Sequence, residues 1–198
     1  MTMTSSRPEK PPPAQDDVLL WDALRRQEPE ALGELFTRYA AAVHAYAVRH
    51  TGSYATADDA VQAAFVTVWR IFKRDDPGAL QHDSALPWLL AITRNELRNA
   101  TRARRRLAQF LLRQPTPLHH PDHAESVAAR LDSEKRIRDV RRALSALPGH
   151  ERDTVELVYW AELSIADAAT VLGVAEGTVK ARLHRARRRL PALLEDHR

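Results

Sequence analysis

A dense run of positive charge lies near the carboxyl end of the chain, in residues 177–190, GTVKARLHRARRRL. A solvated helix face normally mixes both signs, because like charges at i,i+4 spacing repel unless something anionic neutralises them. This run has no acid, and six of its fourteen residues are cationic: Lys180, Arg182, Arg185, Arg187, Arg188 and Arg189. The run therefore predicts a polyanionic partner.

The residues around this run have the layout of a helix-turn-helix, LSIADAATVLGVAEGTVKARLHRA (163–186). Ser164 can cap the first helix, Gly173 permits a sharp turn, and Val179 and Leu183 face inward from the second helix. Such a second helix lies in the DNA major groove, and a basic tail beyond it can meet phosphates. The predicted reading set faces outward: Thr178, Lys180, Ala181, Arg182, His184 and Arg185. Arginine-rich helices that bind membranes or RNA share the charge but lack this cap, turn and inward pair.

Residues 147–190 resemble region 4 of bacterial sigma factors, especially the small extracytoplasmic-function group, without a gap. The specific motifs are the Leu-Pro start, the aromatic pair Tyr159 and Trp160 before the turn, and GTVKARLHRAR. The resemblance implies that the helix at 176–190 reads the promoter −35 element. It also implies that this domain meets the flap of the core RNA polymerase.

A second basic cluster lies on PWLLAITRNELRNATRARRR (87–106), where one acid, Glu96, accompanies six arginines. Asn95 and Asn99 share a helix face and can hydrogen-bond base edges that pairing has released. The segment resembles sigma regions 2.3 and 2.4, which open and read the −10 element, and a single strand needs such a cationic groove. The predicted strand-binding residues are Arg94, Asn95, Arg98, Asn99 and Arg102.

Two further features near this helix are candidates for base contacts. The family captures a flipped base with the loop that corresponds to 75–86, which makes Gln81, His82 and Asp83 candidates. Trp88 either stacks on a base or belongs to the core beside Leu89 and Ile92.

The segment DDAVQAAFVTVWR (58–70) resembles sigma region 2.2, a helix that docks on the clamp helices of core RNA polymerase. Asp58, Asp59 and Gln62 are the predicted core-binding residues, although two acids also suit the first turn of any helix. Ala63 departs from the family, which often has an acid there. Residues 16–62 hold four arginines and eight acids: Asp16, Asp17, Asp22, Glu28, Glu30, Glu34, Asp58 and Asp59. This acidic surface is separate from the two basic surfaces, and it fits a protein partner.

Composition narrows the possible functions of the 198 residues, which carry a net charge of +4. The chain has no cysteine, which excludes disulfides, thiolate metal sites and cysteine nucleophiles. No apolar run is long enough to span a membrane, and no phosphate loop, nucleophile elbow or paired catalytic carboxylates occur. We therefore expect a cytoplasmic protein without enzymatic activity, cofactor or metal. The ligand-type residues of HHPDH (119–123) lie in a proline-rich stretch that would hold a metal poorly.

The predicted fold is all-α, because Ala, Leu, Arg and Glu dominate and glycine is scarce. Residues 1–15 form a disordered tail, 16–112 a helical domain, 113–124 a flexible linker and 125–198 a second helical domain. In the first domain one helix stops at Gly52 and the next opens at Thr56. A buried stripe of the earlier helix contains Leu32, Leu35, Phe36, Tyr39, Val43 and Tyr46.

The family resemblance predicts an extracytoplasmic-function sigma factor that contains regions 2 and 4. Its partners would be the clamp helices and flap of core RNA polymerase, promoter DNA and an anti-sigma factor. An alternative is a stand-alone helix-turn-helix repressor or activator whose first domain binds a signal or dimerises. A third is an RNA-binding adaptor. Transcription with added core polymerase separates the three.

Overall fold

The computed structural model describes residues 15–80, 84–111, 140 and 142–195, and no strand occurs among them, so the predicted all-α class is confirmed. The candidates Gln81, His82 and Asp83, the HHPDH segment and the tail through residue 14 lie outside these ranges. The helices are α1 (Gln15–Arg25), α2 (Pro29–Thr51), α3 (Tyr54–Arg74), α4 (Leu86–Leu111), α5 (Gly149–Val155), α6 (Ile165–Leu172) and α7 (Glu176–Glu195). A π-helix, Glu156–Trp160, continues α5, and residues 142–146 are helical.

A tight turn joins α2 to α3, and this pair forms the centre of the first unit, which comprises α1 to α4 (residues 15–111). Gly52 ends α2 in the left-handed conformation, at φ 72°, which glycine adopts at little cost. Ser53 then caps α3, since its hydroxyl accepts a hydrogen bond from the Thr56 backbone N–H at 3.3 Å. The helix begins at Tyr54, so the predicted start at Thr56 was wrong by two residues. Thr56 is the donor to the cap.

The core of the first unit contains a cluster of three aromatic rings at the meeting of α1, α3 and α4. The Trp21 ring packs edge to face on Phe72 and on Trp88, with centroid distances of 4.9 and 4.8 Å. Trp88 is half-buried and packs against the core, and this position does not favour its alternative role as a base-stacking platform. The predicted stripe of α2 is buried at Leu35, Tyr39, Val43 and Tyr46. Phe36 differs, because 47% of it is exposed.

A buried carboxylate, Asp17, connects α1 to α2 and to the start of α4. Arg38 Nη1 donates to Asp17 Oδ1 at 2.7 Å, and the Ala85 backbone N–H donates to Oδ2 at 2.8 Å. The Tyr39 hydroxyl also donates to Asp17 Oδ2. Burial raises the pKa of this hydroxyl, so Tyr39 remains a donor. Asp17 is thus a structural residue, and its place in the predicted acidic docking surface was wrong.

The second unit, residues 142–195, contains the predicted helix-turn-helix, formed by α6 and α7. The Ser164 hydroxyl accepts a hydrogen bond from the Asp167 backbone N–H at 3.0 Å, and Gly173 has the left-handed φ of 65°. Val179 and Leu183 are buried. These four predicted positions are confirmed. Helix α7 packs against both α5 and α6, so the fold fixes which of its faces remains outside.

The two units are in contact in this structure. Helix α4 packs against α6, and α2 packs against the π-helix. One apolar cluster runs through both units, from Leu20 to Ala186. The units are therefore joined by a shared core as well as by the chain.

Candidate nucleic-acid interface and protein-docking groove

The outer face of α7 presents the predicted major-groove residues to solvent. Lys180, Ala181, His184 and Arg185 are exposed. Thr178 and Arg182 are half-buried, at the edges of this face. The Lys180 ammonium lies 3.8 Å from a Glu176 carboxylate oxygen, a surface pair of small energy that DNA can displace. The fold thus brings the six predicted residues together on one side of α7.

A buried acid, Glu151, holds two arginines of α7. Its Oε1 lies 3.2 Å from Arg185 Nε, and its Oε2 lies 2.7 Å from Arg189 Nη1. Glu151 is 1% exposed, whereas about half of each arginine side chain is exposed. One carboxylate therefore orients two cations along the helix. Nothing local in the sequence identifies Glu151 as this partner, because it lies more than thirty residues away from both arginines.

Helix α4 displays the predicted single-strand surface over two of its turns. Asn95, Arg98, Asn99 and Arg102 are all exposed, and their spacing places them on neighbouring positions of one helix side. Three more arginines, at 104–106, extend the exposed positive charge toward the end of the helix. This arrangement offers amides for base edges beside cations for phosphates.

Arg94 differs from the other predicted strand-binding residues because it is buried. Only 9% of it is exposed, and its guanidinium points to the second unit. Its Nε and Nη2 donate to Asp153 Oδ2 at 2.8 and 2.6 Å. In this arrangement Arg94 is not available to a DNA strand, so the structure separates it from the four exposed residues.

Further polar contacts join the units beside this pair. His50 Nδ1 lies 2.6 Å from Glu156 Oε2, and Arg49 Nη1 donates to the Trp160 carbonyl at 2.7 Å. Ligand-type atoms of His50, Asp153 and Glu156 lie within 4.8 Å of one another, the spacing of a possible metal site. Arg94 already binds Asp153, and Arg152 lies 3.8 Å from Glu156. The nearby cations make this an ion-pair cluster.

An apolar groove of about 880 Å³ lies between α2 and α3. Phe36, Val66 and Trp69 are the exposed apolar side chains in its lining, between 39% and 47% exposed. Asp58 and Gln62 also line it, but Asp59 does not. The resemblance to sigma region 2.2 pointed to the polar residues Asp58 and Gln62, and the sequence analysis missed the exposed aromatic residues of the groove. These exposed residues belong to an additional apolar row on α2 and α3, separate from the row that fills the core. This additional row is the sequence pattern that could have predicted them.

Asp58 has a partner within the first unit. Its Oδ1 lies 3.0 Å from His44 Nε2, another residue of the groove lining. The Asp58 side chain is 72% exposed, so it remains accessible to a partner.

No helix within the described ranges is sufficiently long and apolar to cross a lipid bilayer.

Comparison with known proteins identifies both units. The family described as "Sigma-70 region 2" matches residues 35–107, and "Sigma-70, region 4" matches residues 137–190. The first range contains most of the groove lining and most of α4, and the second contains the helix-turn-helix.

Several curated relatives match over most of their length. The chain is 33% identical over 175 residues to the ECF RNA polymerase sigma factor SigL of Mycobacterium tuberculosis, covering 85% of this chain and 92% of the relative. It is 37% identical over 165 residues to SigM of the same organism, covering 83% and 77%. It is 34% identical over 161 residues to EcfG of Rhodopseudomonas palustris, covering 77% and 78%.

Solved structures agree with this assignment. The sigma factor RpoE of Bartonella quintana, solved in complex with the anti-sigma factor NepR, is 27% identical with a TM-score of 0.54, covering 93% of this chain and 97% of that one. CnrH, solved in complex with the cytosolic domain of CnrY, has the same fold, with a TM-score of 0.65 at 24% identity and coverages of 91% and 97%. Because relatives above 30% identity match most of both chains and the profiles of regions 2 and 4 cover the two units, the chain belongs to the extracytoplasmic-function group of the sigma-70 family.

Proposed function

We propose that this sigma factor directs core RNA polymerase to promoters whose −10 strand binds α4 and whose −35 element binds α7. The observation that carries the proposal is the presence of two exposed cationic helices in separate units. The side chains of one suit single-stranded DNA, and those of the other suit duplex DNA. Helix α4 offers amides and arginines to an unpaired strand. Helix α7 belongs to a helix-turn-helix, whose second helix fits the major groove of a duplex. The protein would act in the cytoplasm without catalysing a reaction itself.

Run-off transcription tests this function. Purified protein is added to core polymerase and promoter-containing genomic fragments, and specific transcripts are expected only when both proteins are present. Tight binding to duplex DNA without polymerase, together with no transcript, would favour the alternative of a stand-alone helix-turn-helix regulator. Binding to RNA alone would favour an adaptor.

The groove between α2 and α3 is the proposed docking site for the clamp helices of the core. Exposed aromatic side chains are common energetic centres of protein interfaces, and Phe36 and Trp69 lie in the groove lining. Asp58 and Gln62 would add polar contacts at its edge, and Asp59 would meet the partner outside the groove. The second unit would contact the flap, as the family resemblance implies.

Trp69→Ala and Phe36→Ala are expected to weaken core binding by at least tenfold each, because interface aromatics of this kind contribute about 2 kcal/mol or more. Each side chain is also partly buried, and Phe36 packs edge to face on Phe65 at a centroid distance of 4.9 Å, so the melting temperature of each variant is measured as well. Fluorescence anisotropy with labelled protein and core polymerase measures the affinity. Tyr54→Ala is the matched control, since Tyr54 is 72% exposed and lies outside the groove lining. Equal affinity of all three variants would contradict the docking site.

Lys180→Ala and Arg185→Ala are expected to weaken use of the −35 element by roughly 5- to 150-fold, because a base-reading Lys or Arg contributes about 1–3 kcal/mol. Transcription from promoters with intact and altered −35 elements measures the effect, which should disappear when the element is altered. Arg74→Ala removes the same charge from the exposed end of α3 and serves as control. Normal transcription by both α7 variants at every promoter would refute the assignment of α7.

An anti-sigma factor is a further proposed partner. The RpoE structure contains the anti-sigma factor NepR, and the CnrH structure contains CnrY. The exposed apolar groove gives this chain a surface that such a regulator could cover.

A further inference from the structure

Glu151 is a buried acid beside the basic helix α7, and each of its two carboxylate oxygens meets a different arginine. Arg185 Nε donates to Oε1 at 3.2 Å, and Arg189 Nη1 donates to Oε2 at 2.7 Å. His150 Nε2 lies further away, at 3.8 Å from Oε1. Burial leaves the Glu151 side chain little freedom, since only 1% of it is exposed. The two arginines are therefore attached to a fixed point of the fold.

The other cations on α7 have weaker attachments within the described part of the chain. Lys180 pairs with Glu176 at 3.8 Å, and both of these side chains are more than half exposed. Arg187 Nε donates to the hydroxyl of Tyr159 at 3.0 Å, and Tyr159 is itself exposed. Arg188 is exposed and has neither a hydrogen bond nor an ion pair with a described residue. A buried anchor thus distinguishes Arg185 and Arg189 from their neighbours.

The contact through Nε leaves the terminal nitrogens of Arg185 for a ligand. Nε is the only nitrogen of this guanidinium that has a hydrogen bond within the described part of the chain. A guanidinium has five N–H donors in a planar fork, so the four on Nη1 and Nη2 remain. A base edge is read by two such donors at once, and the orientation of the plane therefore decides the contact. A side chain that is already oriented loses less conformational freedom when it binds.

The negative charge of Glu151 acts in the opposite direction on general DNA binding. Attraction to the phosphate backbone depends on the number of cations and not on their exact orientation. A carboxylate beside α7 offsets part of that attraction. It also stabilises two like charges one helical turn apart, which would otherwise repel. Glu151 thus orders the arginines and at the same time reduces the net positive charge next to DNA.

We propose that Glu151 is a positioning residue for sequence reading. By holding Arg185 in one orientation, it increases the discrimination of α7 between base sequences while it lowers the general affinity for duplex DNA. The inference rests on the proposed function of α7 as the reader of the −35 element. Glu151 acts through Arg185, because its own side chain is buried.

The affinities of the full chain for two DNA sequences test this proposal. Together with core polymerase, the unchanged protein first selects duplexes from a promoter library whose −35 positions are randomised. The enriched duplex and the same duplex with its −35 positions shuffled are then the two probes, and the ratio of their affinities is the discrimination. Glu151→Gln is expected to reduce this ratio by about fivefold or more, as for loss of one base-reading arginine. Affinity for the shuffled duplex should stay equal or rise.

Glu176→Gln is the matched control, because it removes an acid from an exposed pair on α7 that contributes little energy. This variant should keep the full discrimination. A double-mutant cycle then separates positioning from a merely structural role. In a chain that already carries Arg185→Ala, Glu151→Gln should cause no further fall in the ratio. A further fall of the same size would overturn the proposal, and so would full discrimination by a folded Glu151→Gln variant.

Nuclear magnetic resonance tests the anchor without any change at Glu151, which covers the case of a Glu151→Gln variant that does not fold. Nitrogen-15 relaxation of the arginine Nε–H groups should show an ordered Arg185 and a mobile Arg188, and Arg185→Lys and Arg188→Lys assign the two signals. Equal mobility of the two groups would overturn the positioning role.

Failure of the proposed function gives a different result from failure of this inference. If the unchanged protein enriches no −35 sequence, both the function of α7 and the part of Glu151 in it are refuted. If it enriches a sequence and Glu151→Gln discriminates equally well, only the positioning role is refuted.

Discussion

Asn95→Ala combined with Asn99→Ala is expected to reduce promoter opening by about tenfold or more, with core binding unchanged. Both amides are exposed on α4, beside Arg98 and Arg102. An amide both donates and accepts hydrogen bonds, so it can pair with base edges that exist only after strand separation. Each net hydrogen bond contributes about 0.5–1.5 kcal/mol, and two lost together account for this magnitude.

Permanganate reactivity of unpaired thymines measures opening in the presence of core polymerase. Core affinity is measured in parallel, and it should not change because the proposed docking groove lies between α2 and α3. Gln109→Ala is the matched control, since Gln109 is an exposed amide further along the same helix. Weak core binding with normal opening in the bound fraction would show that the tasks of α3 and α4 are reversed. An equal defect in the control would show a general effect on α4.

Local patterns predicted the helix-turn-helix well because each of its signals acts within a few residues. Ser164 caps a backbone N–H three positions ahead, Gly173 adopts a conformation that other residues resist, and Val179 and Leu183 lie one turn apart. The same locality explains the correct helical class. The start of α3 was missed by two residues because Ser53 and Thr56 are both plausible caps, and only the fold selects between them.

Long-range charge pairing could not be predicted from the sequence. Arg94 was grouped with its neighbours on α4 by type and spacing, but its partner Asp153 lies 59 residues away. Glu151 and Asp17 likewise have partners that sequence distance conceals. Counting acids in a segment measures charge and does not show which acids are buried. Periodicity also cannot distinguish an apolar row that fills the core from one that lines an open groove, as at Phe36.

Asp17→Ala is expected to destabilise the protein by roughly 3–5 kcal/mol, the cost of removing one partner of a buried ion pair. The change leaves the Arg38 guanidinium, the Tyr39 hydroxyl and the Ala85 backbone N–H without their common acceptor. All three lie at the meeting of α1, α2 and the start of α4. The melting temperature should fall by roughly 10 °C, given about 2–4 °C for each kcal/mol in a chain of this size.

Circular dichroism during heating measures this effect. The melting temperature of Asp17→Asn should lie between those of the unchanged protein and Asp17→Ala, because the amide keeps an acceptor oxygen but loses the charge. Asp22→Ala is the matched control on the same helix. Its carboxylate lies 3.6 Å from Arg25 Nη1 in an exposed pair, which contributes at most about 1 kcal/mol. If Asp17→Ala melted at the same temperature as Asp22→Ala, Asp17 would be a surface acid after all. The acidic surface first predicted for residues 16–62 would then regain one of its members, and the connection between α1 and α4 would depend on apolar packing such as that of the Trp21 ring on Trp88.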